Sequence, residues 1–458
     1  MSTRLDRRDF LRIAGLAAGA TATKPLLGPY LAQAGREKGG DPYERPWWIK
    51  EVDEPTTGKM NGDYGRFTGI NAFATHQKAW EDEHGEGSYQ KVLDDSFALR
   101  KSNIENDVEG YQLRDYVLKE GGWTVNRAAG TGQGMASWTN YRMQRPADWG
   151  VEIYKDTPEE MAKTIKAAAK LFGAGSVGVT HMQERFIPLE QGGRPILFKD
   201  VDVPEVSEDA YVIPKNMTTV IAYSVEMPFD LMQLCPTATG TGASALGYSR
   251  MSFVSNTLAD YIRGLGYEAV PCGNDTGLSP PFAVYAGLGE LGRLGPVVTP
   301  EFGPGIRLGK VYTNMPLAMD KPIDFGVRNF CSICMKCADA CPVGAISTKE
   351  QPDFETVCTA NHPGHEAWHN DYNLCRAQWD MGTTSCMGCY TACPYLKQDA
   401  AWMHDVVKAT TSLLPFTAST FKALDDLAGY GEIKSTNKWW ETNNPAFGIY
   451  SKIGTERS

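Results

Sequence analysis

The sequence lacks several features that would each assign it to a familiar class of protein. It has no excess of basic residues, because 45 Lys and Arg stand against 55 Asp and Glu. Nucleic acids select basic surfaces, so this balance argues against a nucleic-acid partner. No segment after the N-terminal region has 18 uninterrupted apolar residues, which predicts that the mature chain does not cross a membrane. Without repeats or long low-complexity segments, and with 42% hydrophobic residues, the chain is typical of an ordinary globular protein.

Cysteine is almost absent from the first 330 residues, where only Cys235 and Cys272 occur. The other nine of the 11 cysteines lie between positions 331 and 393. A disulfide framework would spread its bridges across the fold, so this distribution argues against disulfides. We expect Cys235 and Cys272 to be buried small hydrophobic side chains.

The N-terminal 34 residues contain the three elements of an export signal in the right order. Arg7 and Arg8 begin a twin-arginine box, a small-residue apolar stretch covers residues 13–23, and residues 32–34 form an A-x-A cleavage site. The alternative is an exposed basic helix. Twin-arginine export is associated with cargo that folds beforehand, often around a cofactor, so this signal predicts a cofactor. Removing residues 1–34 takes away five basic and two acidic side chains, which changes the net charge from −10 to −13.

The first cysteine motif has the C-x2-C-x2-C-x3-C-P spacing of bacterial ferredoxins. It consists of Cys331, Cys334, Cys337 and Cys341, followed by Pro342. Three thiolates two residues apart on a tight loop can reach three corners of one 4Fe–4S cluster, and the fourth reaches a second cluster. Zinc ribbons have a different spacing. The motif therefore predicts two iron–sulfur clusters.

The second cysteine motif is irregular but ends in the same C-x3-C-P. It consists of Cys375, Cys386, Cys389 and Cys393, followed by Pro394. The crossover rule assigns one cluster to Cys331, Cys334, Cys337 and Cys393, and the other to Cys341, Cys375, Cys386 and Cys389. Cys358 competes with Cys375 for the outlying position, and Cys375 is favoured because it is nearer to Cys386 in sequence.

The rest of the chain predicts an α/β or α+β core preceded by an irregular segment. Residues 35–150 are rich in Trp, Tyr and Gly with weak periodicity, so we expect an irregular unit that wraps the core. A capping threonine and a proline at Thr157 and Pro158 predict a helix that ends at Gly173. The other predicted elements are strands at 176–180, 218–224 and 267–270 and a helix at 252–265.

The export signal, the long middle region and the C-terminal pair of ferredoxin motifs together resemble the corrinoid-dependent reductive dehalogenases. The likeness extends to local phrases: GLGELGR at 287–293, VTPEFG at 298–303, RLGKVYTNMPL at 307–317 and KWWE at 438–441. The resemblance implies a nitroreductase-like core that binds a corrinoid, followed by a ferredoxin-like domain with two 4Fe–4S clusters. The expected units are a signal peptide (1–34), a wrapping unit (35–150), a corrinoid-binding catalytic core (151–318), a two-cluster domain (319–400) and a tail packed on the core (401–458).

The resemblance also implies an active site made of a tyrosine, a nearby cation and a pocket asparagine. Matched by local sequence, these are Tyr248, Arg307 and Asn274. A phenol has a pKa near 10 in water and is a poor acid. A cation beside the phenol stabilises tyrosinate, which makes proton delivery easier, and it also favours a leaving halide.

Three further patterns each have two interpretations. Gly287–Gly292 matches the G-x-G-x-x-G dinucleotide motif, but Pro296 follows where that motif requires a helix. Asp82 and His84 match a motif by which some corrinoid proteins supply an axial histidine, and the alternative is a surface histidine. The resemblance implies a corrinoid of the cobalamin or norcobamide type whose cobalt has no protein ligand. His362, His365 and His369 are either metal ligands or packed side chains.

We therefore expect a respiratory enzyme that replaces a carbon-bound halogen with hydrogen, or removes vicinal halogens, with two electrons passed through the clusters to the corrinoid. The family implies a small integral-membrane anchor subunit, a quinol-linked donor and a location on the outer face of the cytoplasmic membrane. One alternative is an exported two-cluster electron-transfer subunit without its own active site, in which the middle region would have no function. The other is a relative of the epoxyqueuosine reductases, against which the export signal and the acidic charge argue. The residues do not distinguish chloroalkane, chloroethene and chloroaromatic substrates.

Overall fold

The computed structural model describes residues 45–396 except 47, 63, 69–71, 129–136, 140–142 and 275, together with 412, 433–442 and 444–449. The export signal predicted for residues 1–34 lies outside the described residues, as does nearly all of the tail between 401 and 432.

The described elements alternate between helices and short strands. The helices are α1 (Ala72–His84), α2 (Ser88–Glu105), α3 (Leu113–Gly122), α4 (Thr124–Ala128), α5 (Pro158–Leu171), α6 (Phe229–Met232), α7 (Ala238–Gly264), α8 (Ser279–Tyr285), α9 (Val327–Ile333), α10 (Lys336–Asp339), α11 (Tyr372–Met381), α12 (Gly388–Thr391) and α13 (Thr436–Trp440). The strands are β1 (Lys50–Glu51), β2 (Val177–His181), β3 (Glu190–Gln191), β4 (Arg194–Lys199), β5 (Glu205–Val206), β6 (Tyr211–Pro214), β7 (Thr219–Glu226), β8 (Ala269–Cys272), β9 (Glu290–Leu291), β10 (Val297–Val298), β11 (Ile306–Thr313) and β12 (Ile323–Asp324).

An antiparallel sheet with strand order β2-β7-β11-β8 lies at the centre of the fold. Its two middle strands pair over eight residues, from Thr219 opposite Thr313 to Glu226 opposite Ile306. Every residue of β7 except Glu226 is buried, so both faces of the sheet are covered. A second sheet, with order β3-β4-β6-β5, contains one parallel pair.

Three hydrophobic clusters surround these sheets. Helices α5 and α7 cover one face of the central sheet, where Ile165 and Leu258 are fully buried. The second sheet and α8 contribute the cluster that contains Ile196 and Phe282. A third cluster contains the buried cysteines of the C-terminal region. Helices and antiparallel strands therefore form the expected mixed core.

Several elements predicted from the sequence are confirmed. Helix α5 starts at Pro158, and the Thr157 hydroxyl accepts the backbone N–H of Glu160 at 3.3 Å, as its capping pattern predicts. The three predicted strands occur as β2, β7 and β8, within two residues at each end.

Helix α7 begins at Ala238, 14 residues before the predicted start at 252, so that prediction was too short. Glycines lower helix propensity in this stretch, which hid the helix from the sequence pattern. Close packing requires them: a Cβ at Gly240 would lie 2.5 Å from the Cys235 nitrogen, and one at Gly247 would lie 3.0 Å from Arg307 Cγ.

The irregular segment predicted within 35–150 is wrong for residues 72–128, which form α1 to α4. These helices expose many polar side chains, so their apolar periodicity is weak. Surface ion pairs one turn apart support them, such as Lys78 with Asp82 at 2.9 Å and Lys91 with Asp95 at 2.6 Å.

The G-x-G-x-x-G pattern is part of an antiparallel hairpin rather than a dinucleotide site. Strands β9 and β10 pair directly, and no helix follows the glycines. Gly289 is required there, because a Cβ would lie 2.1 Å from the Val298 carbonyl oxygen. Near the end of the chain, Trp440 donates its indole N–H to Asp115 at 2.8 Å, so the described part of the tail contacts α3.

Candidate active site

A cavity of about 1370 Å³ lies between the central sheet and the cysteine-rich region. Its wall includes residues of α3, α7, the loop after β8, β11 and α11. Pockets for drug-sized ligands reach about 1,000 Å³, so this cavity has room for a larger group.

The three predicted active-site residues lie together on the cavity wall. Tyr248 comes from α7, Arg307 from the start of β11, and Asn274 from the loop two residues after β8. The Arg307 guanidinium carbon is 4.7 Å from the centroid of the Tyr248 ring. Asn274 donates its side-chain N–H to the Tyr248 hydroxyl at 2.9 Å. The phenol is therefore in contact with a cation and oriented by an amide.

Strand pairing explains why these residues meet. Lys310 of β11 is opposite Cys272 of β8, so the end of β8 reaches the beginning of β11. The buried Lys310 ammonium donates to the Gly273 carbonyl at 2.6 Å and to the Ser279 hydroxyl at 3.1 Å. These contacts hold the loop that carries Asn274.

Arg307 is surrounded by protein groups that favour its positive charge. Burial opposes the charge, but Tyr248 and Tyr390 outweigh it, so the pKa of the guanidinium is raised. Arg307 also donates to the Ser244 hydroxyl and is hydrogen-bonded to Tyr390. Burial raises the pKa of the Tyr390 phenol as well, although Arg307 acts in the opposite direction. The site therefore keeps a fixed cation beside two phenols.

Two residues of this site were not identified from the sequence. Trp123, directly after α3, stacks on Tyr248 with ring centroids 4.8 Å apart and planes 22° apart. Tyr390 follows Cys389 and binds Arg307. The position of Tyr390 inside the second cysteine motif was a usable signal, whereas Trp123 was one aromatic residue among many.

The structure brings the cysteines of the first predicted cluster together. Cys331, Cys334, Cys337 and Cys393 are all buried, and their thiols interact electrostatically. Burial and the neighbouring Cys334 raise the pKa of the Cys337 thiol to about 12. None of these four side chains lines the cavity.

The cysteines of the second predicted cluster are half-buried and line the cavity: Cys341, Cys375, Cys386 and Cys389. Burial, followed by Cys386 and Cys341, raises the pKa of the Cys375 thiol to about 12. The Cys341 sulfur accepts the backbone N–H of Ala345 at 3.2 Å. Cys358 instead has its sulfur 3.8 Å from the Asn370 carbonyl, outside the cavity wall. This geometry favours Cys375 over Cys358 as the outlying ligand.

Both groups of thiols fit an iron–sulfur cluster better than a single ion. Among the residues that the structure describes, no three His, Cys, Asp or Glu side chains converge as a single-ion site. A 4Fe–4S cluster spaces its thiolates further apart, because irons and inorganic sulfides lie between them. Burial raises the pKa of the Cys337 and Cys375 thiols, and bound iron would compensate the charge of their thiolates.

The histidines with two interpretations lie away from the cavity. Burial lowers the pKa of His362 and of His365 to about 4, and their ring centroids are 5.6 Å apart. The His365 ring bonds the His362 carbonyl at 2.8 Å, so these rings are packed side chains. His84 is exposed and stacks on Trp80 with centroids 4.0 Å apart, as a surface histidine does.

The cavity wall also fits a macrocycle with polar side chains such as a corrinoid. The Asn256 side-chain oxygen and the Arg307 Nε are buried in this wall without a hydrogen-bond partner. Buried polar atoms are normally paired, so a ligand with amide groups would satisfy them. A corrinoid in this cavity would be held by a wall that includes both Tyr248 and the cavity-lining cysteines.

Comparison with known proteins identifies the family of this chain. A family model described as reductive dehalogenase subunit matches residues 177–317. Tetrachloroethene reductive dehalogenase of Sulfurospirillum multivorans is 31% identical, over 97% of this chain and 95% of that protein. The enzyme of that name from Dehalobacter restrictus is 34% identical over 65% of this chain and 59% of its own length. An epoxyqueuosine reductase of Bacillus cereus aligns with only 43% of this chain and 54% of its own length, at 25% identity.

A solved structure supports the same fold. A catabolic reductive dehalogenase in complex with 3-bromo-4-hydroxybenzoic acid superimposes on 90% of this chain with a TM-score of 0.63 and 22% identity. This chain spans 54% of the length of that solved chain. With the full-length match to the Sulfurospirillum protein, these findings show that the chain belongs to the reductive dehalogenases, oxidoreductases that act on carbon–halogen bonds with a corrinoid and two 4Fe–4S clusters.

Proposed function

We propose that this protein removes halide from a small chlorinated alkene, with Tyr248 as the proton donor. In the overall reaction, two electrons and one proton convert a carbon–halogen bond into a carbon–hydrogen bond and a halide ion. The corrinoid supplies the low-valent cobalt that delivers electrons to the carbon–halogen bond. The observation that carries the proposal is the Arg307 guanidinium 4.7 Å from the Tyr248 ring on the cavity wall.

The three site residues have separate tasks in this proposal. The Tyr248 hydroxyl donates its proton to the carbon that loses halide, because it faces the cavity. Arg307 stabilises the tyrosinate that remains and the negative charge that develops on the departing halogen. Asn274 donates a hydrogen bond to the phenol oxygen, which orients the hydroxyl and also stabilises the anion.

The substrate class rests on the relatives and on the lining of the cavity. Relatives that match this chain at 31% and 34% identity are named for tetrachloroethene. Trp123 and Trp379 contribute aromatic surface to the cavity wall. A small apolar chloroalkene is compatible with such a wall, and the choice among organohalides rests on the relatives.

The substrate experiment uses anaerobic holoenzyme with reduced methyl viologen as electron donor. Halide release is measured with tetrachloroethene, a chlorinated phenol and a chloroalkane at equal concentrations. We expect kcat/KM for tetrachloroethene to exceed the other two by more than tenfold. A preference for the chlorinated phenol would reject the proposed substrate class, and no halide release from any of them would reject the proposed activity.

The proton-donor experiment compares two tyrosines on α7. Tyr248→Phe should lower kcat/KM by about 10²- to 10⁴-fold, the usual contribution of a general acid. Asn274→Ala should cost about threefold to tenfold, because it removes one hydrogen bond from the phenol. Tyr261→Phe, a half-buried tyrosine of the same helix outside the cavity wall, is the matched control and should keep full activity. Equal activity of Tyr248→Phe and Tyr261→Phe would contradict the assignment.

We further propose that Cys331, Cys334, Cys337 and Cys393 bind a first cluster, and that Cys341, Cys375, Cys386 and Cys389 bind a second. Only the second set lines the cavity, which supports an electron route from the first cluster to the second and then to the corrinoid.

The location of the protein and its partners are also proposals. We propose twin-arginine export to the outer face of the cytoplasmic membrane, a small membrane-anchor subunit and a quinol-linked donor. Within the described residues, no helix has the length and apolar character needed to cross a bilayer. Replacing Arg7 and Arg8 by lysines should keep the protein in the cytoplasm, measured by cell fractionation. Unchanged export of that variant would reject the proposed route.

A further inference from the structure

The hairpin formed by β9 and β10 contains a buried arginine beside the first group of cysteines. This group is Cys331, Cys334, Cys337 and Cys393, and the second group is Cys341, Cys375, Cys386 and Cys389. Arg293 is fully buried and donates Nε and one terminal nitrogen to the Cys331 carbonyl, at 3.0 and 2.6 Å. Its other terminal nitrogen donates to the carbonyls of Ser347 and Lys349, at 2.8 and 2.7 Å. The guanidinium carbon is 5.0 Å from the centroid of the Trp368 ring.

Within the described part of the chain, no carboxylate forms an ion pair with Arg293. Among the residues that the structure describes, its hydrogen-bond partners are carbonyl oxygens, and its ring contact is with an indole. The thiols that interact with its charge are Cys331, Cys337 and Cys334, all of the first group. A buried cation of this kind acts at short range in a low-dielectric environment, where its influence is strongest.

The second group of cysteines has a different electrostatic environment. Arg376 follows Cys375 directly, but its guanidinium donates to the Asp380 carboxylate at 2.8 Å. The positive charge nearest in sequence to this group is therefore compensated. The buried cation on the cavity wall beside this group, Arg307, interacts most strongly with the phenols of Tyr248 and Tyr390. The first group therefore differs in having a buried cation, Arg293, whose charge acts on the thiols themselves.

The same hairpin holds both ends of the helix that carries Cys331. Glu290, three residues before Arg293, accepts the backbone N–H groups of Phe325 and Val327 at 2.7 and 3.2 Å. Val327 is the first residue of α9, whereas the Cys331 carbonyl lies in its last turn. A carboxyl group at the start and a guanidinium at the end fix this helix against the hairpin.

We propose that Arg293 is a positioning and electrostatic residue for the first 4Fe–4S cluster, and that it raises the reduction potential of that cluster above that of the second. Reduction adds one electron, and hence one negative charge, to a cluster that its thiolates already make anionic. A fixed positive charge nearby stabilises this reduced form, and charge and hydrogen bonding are established determinants of cluster potential. The inference rests on the proposed cluster ligands and is independent of the substrate.

This arrangement suits a reaction that consumes two electrons from carriers of one electron each. A first cluster with the higher potential remains reduced between turnovers. It can then supply the second electron as soon as the cavity-lining cluster has delivered the first.

The experiment is an anaerobic redox titration of the holoenzyme, in which electron paramagnetic resonance follows the reduced clusters. Wild type should show two one-electron steps. In Arg293→Gln the higher of the two reduction potentials should fall by at least about 59 mV, which is a tenfold change in the equilibrium constant for reduction. The equilibrium constant for the step of lower potential should change by less than threefold.

Two further variants separate charge from packing. Arg293→Lys keeps the charge but loses most of the hydrogen bonds. The equilibrium constant for its step of higher potential should therefore stay within threefold of the wild-type value. Arg263→Gln is the matched control, because Arg263 is also buried and donates to the carbonyls of Trp138 and Ala269 on the central core. Neither of the two cluster reduction potentials should change in Arg263→Gln.

Several outcomes would overturn the inference. These are an unchanged higher step in Arg293→Gln, equal shifts of both steps, or an Arg293→Lys variant that shifts as much as Arg293→Gln. If Arg293→Gln retains fewer than about eight irons per chain, Arg293→Lys decides alone: eight irons with a wild-type potential support the charge, and loss of the cluster rejects it. Halide release is not measured in this titration, so a failure here leaves the test of dehalogenation intact.

Discussion

The two groups of cysteines end in the same C-x3-C-P spacing but lie in different surroundings. The first is buried, and its helix is held by Glu290 and Arg293. The second is half-buried and lines the same cavity as Tyr248. The comparison teaches that spacing specifies which cofactor is bound, whereas the surroundings specify what that cofactor does.

The polar contacts around the two groups differ in the same way. Near the second group, Asp380 of α11 accepts from Arg376 and from the Tyr89 hydroxyl, and His76 bonds Tyr89. Burial, and then Arg376, lowers the pKa of His76, so this histidine is neutral at neutral pH. The second group is therefore held by a compensated network that includes the N-terminal helices, whereas the first is held by a single hairpin.

The largest effect that we expect distinguishes the two candidates for the outlying ligand. Cys375→Ser should remove the second cluster, reduce iron from about eight to about four per chain, and abolish halide release. Cys358→Ser is the matched control and should keep about eight irons and full activity. Iron analysis and halide release measure both results. The reverse outcome would place Cys358 in the second cluster and contradict the assignment of Cys375 as the outlying ligand.

An intermediate effect should follow from removing the first cluster instead. Cys334→Ser leaves the cavity-lining cluster in place, and a small viologen can reduce that cluster directly through the cavity. We expect about a tenfold loss of activity with this donor, or about 1.4 kcal/mol in the activation free energy. Cys389→Ser should abolish activity under the same conditions. Equal losses in both variants would show that the two groups are not arranged in series as proposed.

A further expected effect is on stability rather than activity and concerns the carboxyl group that holds α9. Burial raises the pKa of Glu290 to about 7, so between pH 4.5 and 7 the unfolded chain releases this proton while the folded chain retains it. The free energy of unfolding should therefore fall by about 3 kcal/mol as pH rises through this window, and change little above it. Asp324 lies close enough to add to the shift.

Glu290→Gln should remove this dependence on pH. The thermal midpoint of the anaerobic holoenzyme is measured for wild type and variant between pH 5 and 8. The variant should gain several degrees relative to wild type as pH rises. The exposed Glu159→Gln is the control and should follow wild type throughout. A difference between wild type and Glu290→Gln that is independent of pH would contradict a buried neutral Glu290.

The sequence predicted those parts of the fold in which local pattern and tertiary environment agree. Helix α5 has a capping threonine and an apolar face that packs on the sheet, so its bounds were predicted correctly. Helix α7 was predicted too short, because its glycines are selected for close contact with Arg307 and Cys235 rather than for helix propensity. The N-terminal helices were missed for a different reason, since their exposed surfaces remove the periodic signal.

The candidate site divides in a similar way. Tyr248, Arg307 and Asn274 were matched through family resemblance, and their contacts became evident only in the structure. Trp123 and Tyr390 had no periodic signal, because residues far apart in sequence meet on a cavity wall only after folding. Glu290 and Arg293 lie in the GLGELGR segment that resembles the family, but no spacing rule predicts what these two residues contact.

By itself, the sequence determined the cysteine spacing, the acidic charge and the pair of arginines near the N-terminus, since each is a property of neighbouring residues or of composition. Tertiary structure alone decided which cysteines face the cavity, which arginine lies beside Cys331, and which aromatic ring stacks on Tyr248. The physical reason is that burial, charge compensation and close contact depend on distances between segments that are remote along the chain.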